Sequence, residues 1–534
     1  MPMPQIPDEL LANVARRAIA RVPRARRPFI AERIVGVSGH RINDTRLKAD
    51  VLAEAAEAQL SRGETPRHLI QAYAAELVCA DEHFAAGRVK EAAASAAKAL
   101  LLASHKVAHF NGLSSPLAES PSRFSAPLRR SRTITAVQTR RTRREPAAPL
   151  PTDRPVRVLF AYSSNANFLP LITSHFTEHP GTKIRTLDTA SDPRLAPLAK
   201  GMGRMIERSL GGQAAYGRQA EAVLRPHLDW ADVVFVEWST AAAGFFTLVD
   251  PGTTRVIVRL HSFEAFTYWP QITGFSRVDD LVFVSEHLRD LAVEAVPRLK
   301  KPGGPRTHVV ANAVELPRFA LPKPPEARFT IGLVGVGQVA KDARWALEVL
   351  RLVRKRDPRY RLQLVGGLPD PESSPATRAY HELFLEELAP LEAAGAVTRV
   401  GHTADVPGAL TRIGTLLNSS VREGWPLSVV EGAASAAVPV VRDWPFFAGA
   451  EHGARTVFPA DWVVTTPAQA AERILATTAS EEGWRSAGAA AAAHAMAAWD
   501  WEAVVSSRFD ELLLGAEANV NSPVDDAPGK AEIK

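Results

Sequence analysis

Two glutamates, Glu423 and Glu431, border the predicted start of one helix. The apolar run TLLNSS ends at Ser420, and Pro426 suits the first position of a helix, where its missing N–H costs nothing. Free backbone N–H groups and the positive end of the helix dipole suit a diphosphate. Carboxylates beside them suit sugar or ribose hydroxyls, which donate hydrogen bonds. The combination predicts a nucleotide-sugar site, although on an exposed helix the same pair would be a solvated face.

The elements that must position these residues are two sets of short apolar runs separated by helical lengths, which are typical of buried parallel strands in βα units. The runs lie at 156–162, 233–238, 255–260 and 281–286, and then at 330–335, 361–367, 397–401, 415–420 and 438–443. Two Rossmann-like halves account for both sets. Ligands bind beyond the carboxyl ends of the strands in open α/β sheets, so the loops after these runs are the candidate sites.

The segment REGWPLSVVEGAASAAVPVV, with seven residues between Glu423 and Glu431, resembles the E-x7-E signature of retaining family-four glycosyltransferases, also called glycosyl transferases group 1. The resemblance covers roughly residues 156–515 and implies a GT-B fold, in which two Rossmann-like domains face each other across a cleft. It implies that Glu423 holds hydroxyls of the transferred sugar and that Glu431 holds the ribose. The sugar and diphosphate contacts that it implies come from Gly424 and from the backbone of Trp425, Pro426 and Leu427.

The turn GLVGVGQVAKD at 332–342 supplies Gly335 and Gly337 for close backbone approach, and the resemblance implies that Lys341 neutralises phosphate. The family usually places an arginine about one turn before this lysine, whereas none precedes Lys341 in the turn. A plain strand-to-helix corner would also explain the glycines. The resemblance places the nucleobase near Gly401 and His402, after the run VTRVG.

In the first half, His261 follows the run RVIVRL and matches the histidine that faces the donor sugar in the family, with Arg259 and Glu264 close by. A lone histidine is also compatible with a structural role. The loop AYSSNANF offers hydroxyl and amide groups for an acceptor or a donor phosphate, although such residues also cap helices. The candidates in this loop are Ser163, Ser164, Asn165 and Asn167.

The predicted function is transfer of a hexosyl group from a nucleotide sugar to a glycan, lipid-linked or protein acceptor, with His261, Glu423 and Lys341 as catalytic residues. Retention of configuration follows from the resemblance alone. No Asp-x-Asp motif occurs, so neither a metal nor another cofactor is predicted. A nucleotide-sugar epimerase of the same fold and a non-catalytic scaffold, which would bind the nucleotide sugar without transferring it, remain alternatives.

The net charge of +6 comes from one segment, because eight arginines lie in residues 123–144 and the charge without them is −2. Anionic lipid, nucleic acid or an acidic protein face would suit this segment, and we predict peripheral contact with an anionic membrane. The sequence opens without a basic and apolar leader and has no run of about 18 apolar residues. It therefore predicts a cytoplasmic protein.

The composition predicts six successive parts. They are an all-helical domain with a tetratricopeptide-like hairpin (1–112), a Ser-, Pro- and Arg-rich linker without regular structure (113–155), an acceptor-side Rossmann-like domain (156–322), a nucleotide-sugar-binding one (323–475), helices that return to the first (476–515) and a disordered tail (516–534). The helical domain is interpreted as a docking or homo-oligomerisation module, or as a subdomain that merely packs on the rest.

Overall fold

The computed structural model describes residues 7–21, 35–36, 41–139, 143 and 145–515. Its N-terminal part is helical, as the sequence predicts. The helices there are α1 (Asp8–Arg21), α2 (Thr45–Leu60), α3 (Leu69–Ala85), α4 (Val89–Ala103) and the short α5 (Lys106–His109). Helices α3 and α4 pack along each other as a hairpin whose turn contains Gly87, with a φ of +74°. The buried positions of α3 recur every three or four residues, so one face of the helix enters the core.

The segment after α5 is not the irregular linker that its prolines predict. It forms α6 (Pro116–Glu119), α7 (Pro121–Arg130) and α8 (Arg132–Thr139). Pro116 and Pro121 lie in the first turns of their helices, where a fixed φ and a missing N–H are tolerated, and Ser115 caps α6. The prediction for 113–155 is therefore wrong over these helices. The tail 516–534 and the arginines Arg140, Arg141 and Arg144 lie outside the described residues.

The first Rossmann-like domain contains a parallel six-stranded sheet with the order β2-β1-β3-β4-β5-β6. Its strands are β1 (Val156–Tyr162), β2 (Thr182–Asp188), β3 (Val233–Glu237), β4 (Arg255–Leu260), β5 (Asp280–Phe283) and β6 (Arg306–Val309). The helices are α9 (Pro170–Glu178), α10 (Ala196–Ala199), α11 (Met202–Ser209), α12 (Ala214–Trp230), α13 (Ala241–Leu248), α14 (Ser262–Ala265), α15 (Trp269–Ile272) and α16 (Glu286–Ala295).

The second Rossmann-like domain repeats this design with the strand order β12-β11-β10-β7-β8-β9. Its strands are β7 (Thr330–Val334), β8 (Arg361–Val365), β9 (Val397–Gly401), β10 (Thr415–Asn418), β11 (Val438–Arg442) and β12 (Val463–Val464). The helices are α17 (Ala343–Arg356), α18 (Pro375–Ala393), α19 (Val406–Leu410), α20 (Leu427–Ala434), α21 (Ala454–Val457) and α22 (Pro467–Thr477). The predicted fold class, two Rossmann-like domains after a helical part, is confirmed.

The chain ends with α23 (Glu481–Trp499) and α24 (Ser506–Leu514), which connect the two Rossmann-like domains. After Trp499 the chain returns to the first domain, where the backbone N–H of Trp501 donates to the carbonyl of Val314 at 3.0 Å. Phe509 of α24 packs on Phe235 of β3, with 6.2 Å between the ring centroids. Helix α24 thus covers part of one face of the first sheet, whereas α23 packs on the second domain.

The helical N-terminal part packs mainly on the first Rossmann-like domain, with α4 against α11, α7 against α16 and α8 against α15. It also contacts the second domain. Lys106 donates to the carbonyl of Ser373, and Asn111 Nδ2 donates to Thr377 Oγ1 at 2.9 Å. The helical part therefore bridges both halves. Across the described ranges, no helix combines the length and the apolarity that crossing a membrane would require.

Candidate active site

The site of the second domain lies where the strand order reverses, between β10 and β7. Loops at such a switch point diverge to opposite faces of the sheet and leave a crevice for a ligand. Lys341 follows β7 and Glu423 follows β10, and Lys341 Nζ lies 2.7 Å from Glu423 Oε1. Two residues that are far apart in sequence thus meet at the place that the topology favours for binding.

Glu423 is held as a carboxylate by three donors on one oxygen. Its Oε1 accepts hydrogen bonds from Lys341 Nζ, from Asn418 Nδ2 at 2.9 Å and from Ser420 Oγ at 2.6 Å. Burial works to raise the pKa of Glu423, but the charge of Lys341 and these hydrogen bonds outweigh burial and hold the pKa below its ordinary value. The group is therefore ionised at neutral pH and able to accept hydroxyl protons.

The loop that carries Glu423 is docked on the first domain. A side chain at Gly424 would meet Ser262 Cβ at 2.8 Å, so only glycine fits there without a shift. The backbone carbonyl of Glu423 accepts a hydrogen bond from His287 Nε2 at 3.0 Å. Burial lowers the pKa of His287 to about 4, so this imidazole is neutral. The site consequently depends on both domains.

Glu431 lies on α20, the helix that begins just after the Glu423 loop. Pro426 precedes this helix as its cap residue, one position earlier than predicted. Burial raises the pKa of Glu431 to about 7, while Arg318 opposes the rise. The pKa values of Glu423 and Glu431 are thus shifted in opposite directions, although both residues border the same helix start.

The facing residues of the first domain form a buried cluster at the ends of β3 and β4. His261 Nε2 lies 2.6 Å from Glu237 Oε1, and Arg259 Nη1 lies 3.5 Å from the same oxygen. Burial lowers the pKa of His261 although Glu237 opposes the shift, so His261 is neutral and donates from Nε2. Burial raises the pKa of Glu264 to about 8, and its Oε1 accepts from the backbone N–H groups of Ser239 and His261.

The clusters of the two domains face a common cleft with a cavity volume of about 770 Å³, a size typical of small-ligand pockets. Lys341, Glu423 and Gly337 line it from the second domain, and His261 lines it from the first. The helical part supplies further lining residues, which are Ser104, Lys106, Phe110 and Asn111. Three parts of the chain therefore enclose one cavity.

Several predicted site residues lie outside this cavity. In the loop after β1, Ser163 Oγ contacts Thr189 Oγ1 at 2.6 Å and accepts from the N–H of Ala242 at 3.0 Å, and Asn165 Oδ1 accepts from the N–H of Asn167 at 3.1 Å, so these groups are hydrogen-bonded within the first domain. His402 is exposed at the end of β9. The predicted residues that do not line the cavity are Ser163, Ser164, Asn165, Asn167, Arg259, Glu264, Gly335, Gly401, His402, Pro426, Leu427 and Glu431. Their roles stay predictions.

Sequence reasoning missed aromatic residues beside the histidine. Trp238 and Phe168 line the cleft, and their rings stack on His261 with centroid distances of 4.1 and 4.9 Å. Trp238 has a φ of +65°, which is strained for a bulky side chain. Glu237 and Trp238 could have been found from the sequence, because they are the last two residues of the apolar run VVFVEW. The cavity residue Phe110 lies outside the resemblance altogether.

These features define the fold class of the protein: a GT-B fold with charged side chains at strand ends of both sheets and a cavity between the two domains. Residues 328–478 match the family model described as glycosyl transferases group 1. The resemblance stated from the sequence is confirmed over these residues, which lie in the second Rossmann-like domain. No curated protein matches the sequence.

Three solved structures are among those similar to this chain. HepE of Anabaena in complex with UDP is 14% identical, with a TM-score of 0.50, over 67% of this chain and 99% of HepE. Sucrose-phosphate synthase of Thermosynechococcus elongatus is 14% identical, with a TM-score of 0.48, over 68% of this chain and 99% of the synthase. TarM, a Staphylococcus aureus protein, is 13% identical, with a TM-score of 0.42, over 55% of this chain and 58% of TarM.

Proposed function

We propose that the protein transfers a hexosyl group from a nucleotide sugar to an acceptor bound in the same cleft, without a metal ion and with retention of configuration. The observation that carries the proposal is the ion pair of Lys341 and Glu423 at the switch point of the domain that matches the glycosyl transferases group 1 model. Of the two carboxylate oxygens of Glu423, only Oε1 has a hydrogen-bond partner among the described residues. Its second oxygen is suited to a sugar hydroxyl.

The donor diphosphate is proposed to lie between Lys341 and the start of α20. Negative charge develops on the diphosphate as its bond to the sugar breaks, and a cation and helix N–H groups stabilise that charge. Glu431, one turn further on, takes the ribose hydroxyls. In this scheme the lysine and the helix perform the role that a divalent cation has in metal-dependent transferases, which is the basis for proposing no metal.

Retention is proposed through attack on the donor face that the diphosphate leaves. The C1–diphosphate bond breaks, the acceptor oxygen bonds to C1, and the acceptor proton passes to a diphosphate oxygen. His261 faces the sugar as a neutral hydrogen-bonding group. No carboxylate is assigned as a nucleophile, because Glu423 is engaged by Lys341 and Glu237 by His261.

Donor screening tests the proposal. Calorimetry with UDP-, GDP-, ADP- and CMP-sugars should single out one nucleotide for the wild type, and UDP-glucose is the first to try because it is bound in a HepE structure. Lys341→Ala and Glu431→Ala should each abolish binding, whereas the exposed Arg485→Ala should not. Binding of no donor would favour the scaffold alternative, and conversion of the donor to its epimer without an acceptor would favour the epimerase.

Peripheral membrane contact is a separate part of the proposal. Arg123, Arg130 and Arg132 are exposed on α7 and α8 and are available to anionic lipid. Arg143 is engaged with Asp279 and with backbone carbonyls of the first domain, so it is not part of this surface. Flotation with liposomes should increase with the content of anionic lipid. Equal flotation with neutral liposomes would contradict the contact.

A further inference from the structure

Arg422 directly precedes Glu423, but its guanidinium contacts a different wall of the cleft. Its Nη1 donates to Ser262 Oγ of the first domain at 3.0 Å. Its Cζ lies 5.0 Å from the ring centroid of Phe110, in the helical part, and 5.2 Å from that of Phe266. The carboxylate of Glu423, by contrast, is held by second-domain groups. The two neighbouring side chains therefore serve two different regions of the cavity.

Within the described part of the chain, the guanidinium of Arg422 has no ion-pair partner. The residue is only 7% exposed, and throughout the described ranges no carboxylate oxygen lies within 4.0 Å of its guanidinium nitrogens. Its Nε is buried without a hydrogen-bond partner. Burial lowers the pKa of Arg422 to about 10 although Glu423 opposes the shift, so the side chain is charged at neutral pH. Buried arginines are almost always paired, so this guanidinium lacks a counter-ion.

The surroundings of Arg422 are suited to an acceptor. The guanidinium lines the cavity together with Phe110, Asn111 and Phe263, and the Phe263 side chain is half exposed. Aromatic rings suit the apolar face of a sugar, and a guanidinium binds phosphate or carboxylate oxygens through paired donors. The diphosphate region at Lys341 and α20 belongs to the second domain, whereas the contacts of Arg422 are with the first domain and the helical part.

We propose that Arg422, with Phe110 beside it, forms an acceptor subsite that selects acceptors carrying a phosphate or carboxylate group. The subsite lies where the helical part meets the cleft, which gives that part a role in substrate choice. The proposal rests on the proposed function, because it treats the region around Lys341 as the donor site. The competing assignment is that the guanidinium of Arg422 holds the donor diphosphate.

Calorimetry on the full chain distinguishes these assignments. The protein is first saturated with the nucleoside diphosphate that binds it, and then titrated with glucose 6-phosphate, glucuronate and uncharged methyl glucoside. We expect both charged sugars to bind the wild type at least about tenfold more tightly than methyl glucoside, since a hydrogen bond to a charged group contributes that much. Arg422→Met should remove the preference, Arg422→Lys should keep part of it, and the exposed Arg485→Met should leave it intact.

Two further measurements separate a binding role from a structural one. Affinity for the nucleoside diphosphate should change less than about twofold in Arg422→Met, because donor contacts remain. The melting temperature of Arg422→Met should not fall, because the variant removes an uncompensated buried charge and keeps its apolar volume. A tenfold loss of nucleoside diphosphate affinity, a clear fall in melting temperature, or no preference for charged sugars would each overturn the subsite. Absence of any nucleoside diphosphate binding would overturn the proposed function as well.

Discussion

The two Rossmann-like domains carry similar charged residues at the ends of their strands, but these residues differ in exposure and pairing. In the second domain, Glu423 and Lys341 pair at the cavity surface, and Glu423 Oε1 accepts three hydrogen bonds. In the first domain, Glu237 and Arg259 are wholly buried, and only His261 of their cluster reaches the cavity. Glu237 Oε2 and Arg259 Nε have no hydrogen-bond partner in the structure.

This difference indicates a division of labour. A carboxylate that pairs with a cation at the cavity surface through one oxygen is suited to bind substrate through its second oxygen. A buried carboxylate beneath a histidine is suited to fix the tautomer and orientation of that histidine. We call Glu237, Arg259, His261 and Glu264 of the first domain the first cluster, and Glu423 and Lys341 of the second domain the second cluster. Substitutions in the second cluster should mainly lower turnover, and substitutions in the first cluster should mainly lower stability.

The largest effect is expected for Glu423→Gln. The amide keeps the shape of the side chain, but it cannot pair with Lys341 or accept sugar hydroxyls as a carboxylate does. Donor turnover should fall by about 10²- to 10³-fold, the range observed when one preorganised polar group is removed from an active site. Initial rates measure this loss, and a circular dichroism melt controls for folding. Wild-type rates would contradict the role of Glu423 in the second cluster.

For Glu237→Gln the main effect should be on stability. The substitution leaves Arg259 and His261 buried without their carboxylate, and breaking a buried pair in this way costs roughly 3–5 kcal/mol. Urea unfolding of the two proteins measures the difference.

The matched control is Glu481→Gln, which removes a surface partner of Arg485. Exposed ion pairs contribute at most about 1 kcal/mol, so this variant should unfold like the wild type. If Glu237→Gln were as stable as this control, the first cluster would not be a structural support. Turnover lost without a loss of stability would then assign Glu237 directly to catalysis.

The central strands were predictable from sequence, whereas three of the four edge strands were not. Runs such as 156–162 are mostly buried and, apart from Arg157, apolar, and β1 covers the same residues. The strands that escaped prediction, β2, β6 and β12, all lie at sheet edges. Polar side chains are tolerated at edges, and TKIRTLD of β2 contains four charged residues or threonines before its buried leucine. Apolar periodicity alone therefore does not detect such strands.

Part of the candidate site was predictable because strand ends converge at a switch point. Lys341, Glu423 and His261 follow strands, and the structure brings all three to the cavity. Phe110 was not predictable, since it enters the cleft through packing of the helical part on the first domain. Arg422 adjoins Glu423 in sequence, but its lack of a counter-ion is a property of the tertiary structure.

An intermediate effect is expected for Glu431→Gln, and it should depend on pH. Burial raises the pKa of Glu431 to about 7, so the carboxylate that accepts ribose hydroxyls is present mainly above that pH. Wild-type affinity for the donor should rise between pH 6 and pH 8, and Glu431→Gln should bind about tenfold more weakly at pH 8. At pH 6 the two proteins should differ less. Calorimetry at both values tests this, and a difference that does not vary with pH would argue against Glu431 as the titrating group.

The smallest effect is expected for Glu264→Gln, which is the counterpart of Glu237→Gln within the first cluster. Burial raises the pKa of Glu264 to about 8, so the group is mostly neutral at pH 7 and resembles the amide that replaces it. Unfolding free energies at pH 4 should differ by less than about 1 kcal/mol, because the folded carboxyl group is neutral there, as the amide is, and the amide oxygen can still accept from the N–H of Ser239.

The sign of the pH dependence makes this last comparison decisive. A carboxyl group whose folded pKa is raised stabilises the fold fully below its unfolded pKa of about 4.5 and loses that contribution as pH rises through 8. Glu264→Gln lacks this titration, so it should be close to the wild type at pH 4 and more stable than the wild type at pH 7, where most of that contribution is already lost. Urea unfolding at both values tests the order. A large loss at pH 7 would mean that Glu264 is ionised, and the first cluster would then contain two buried carboxylates competing for Arg259 and His261.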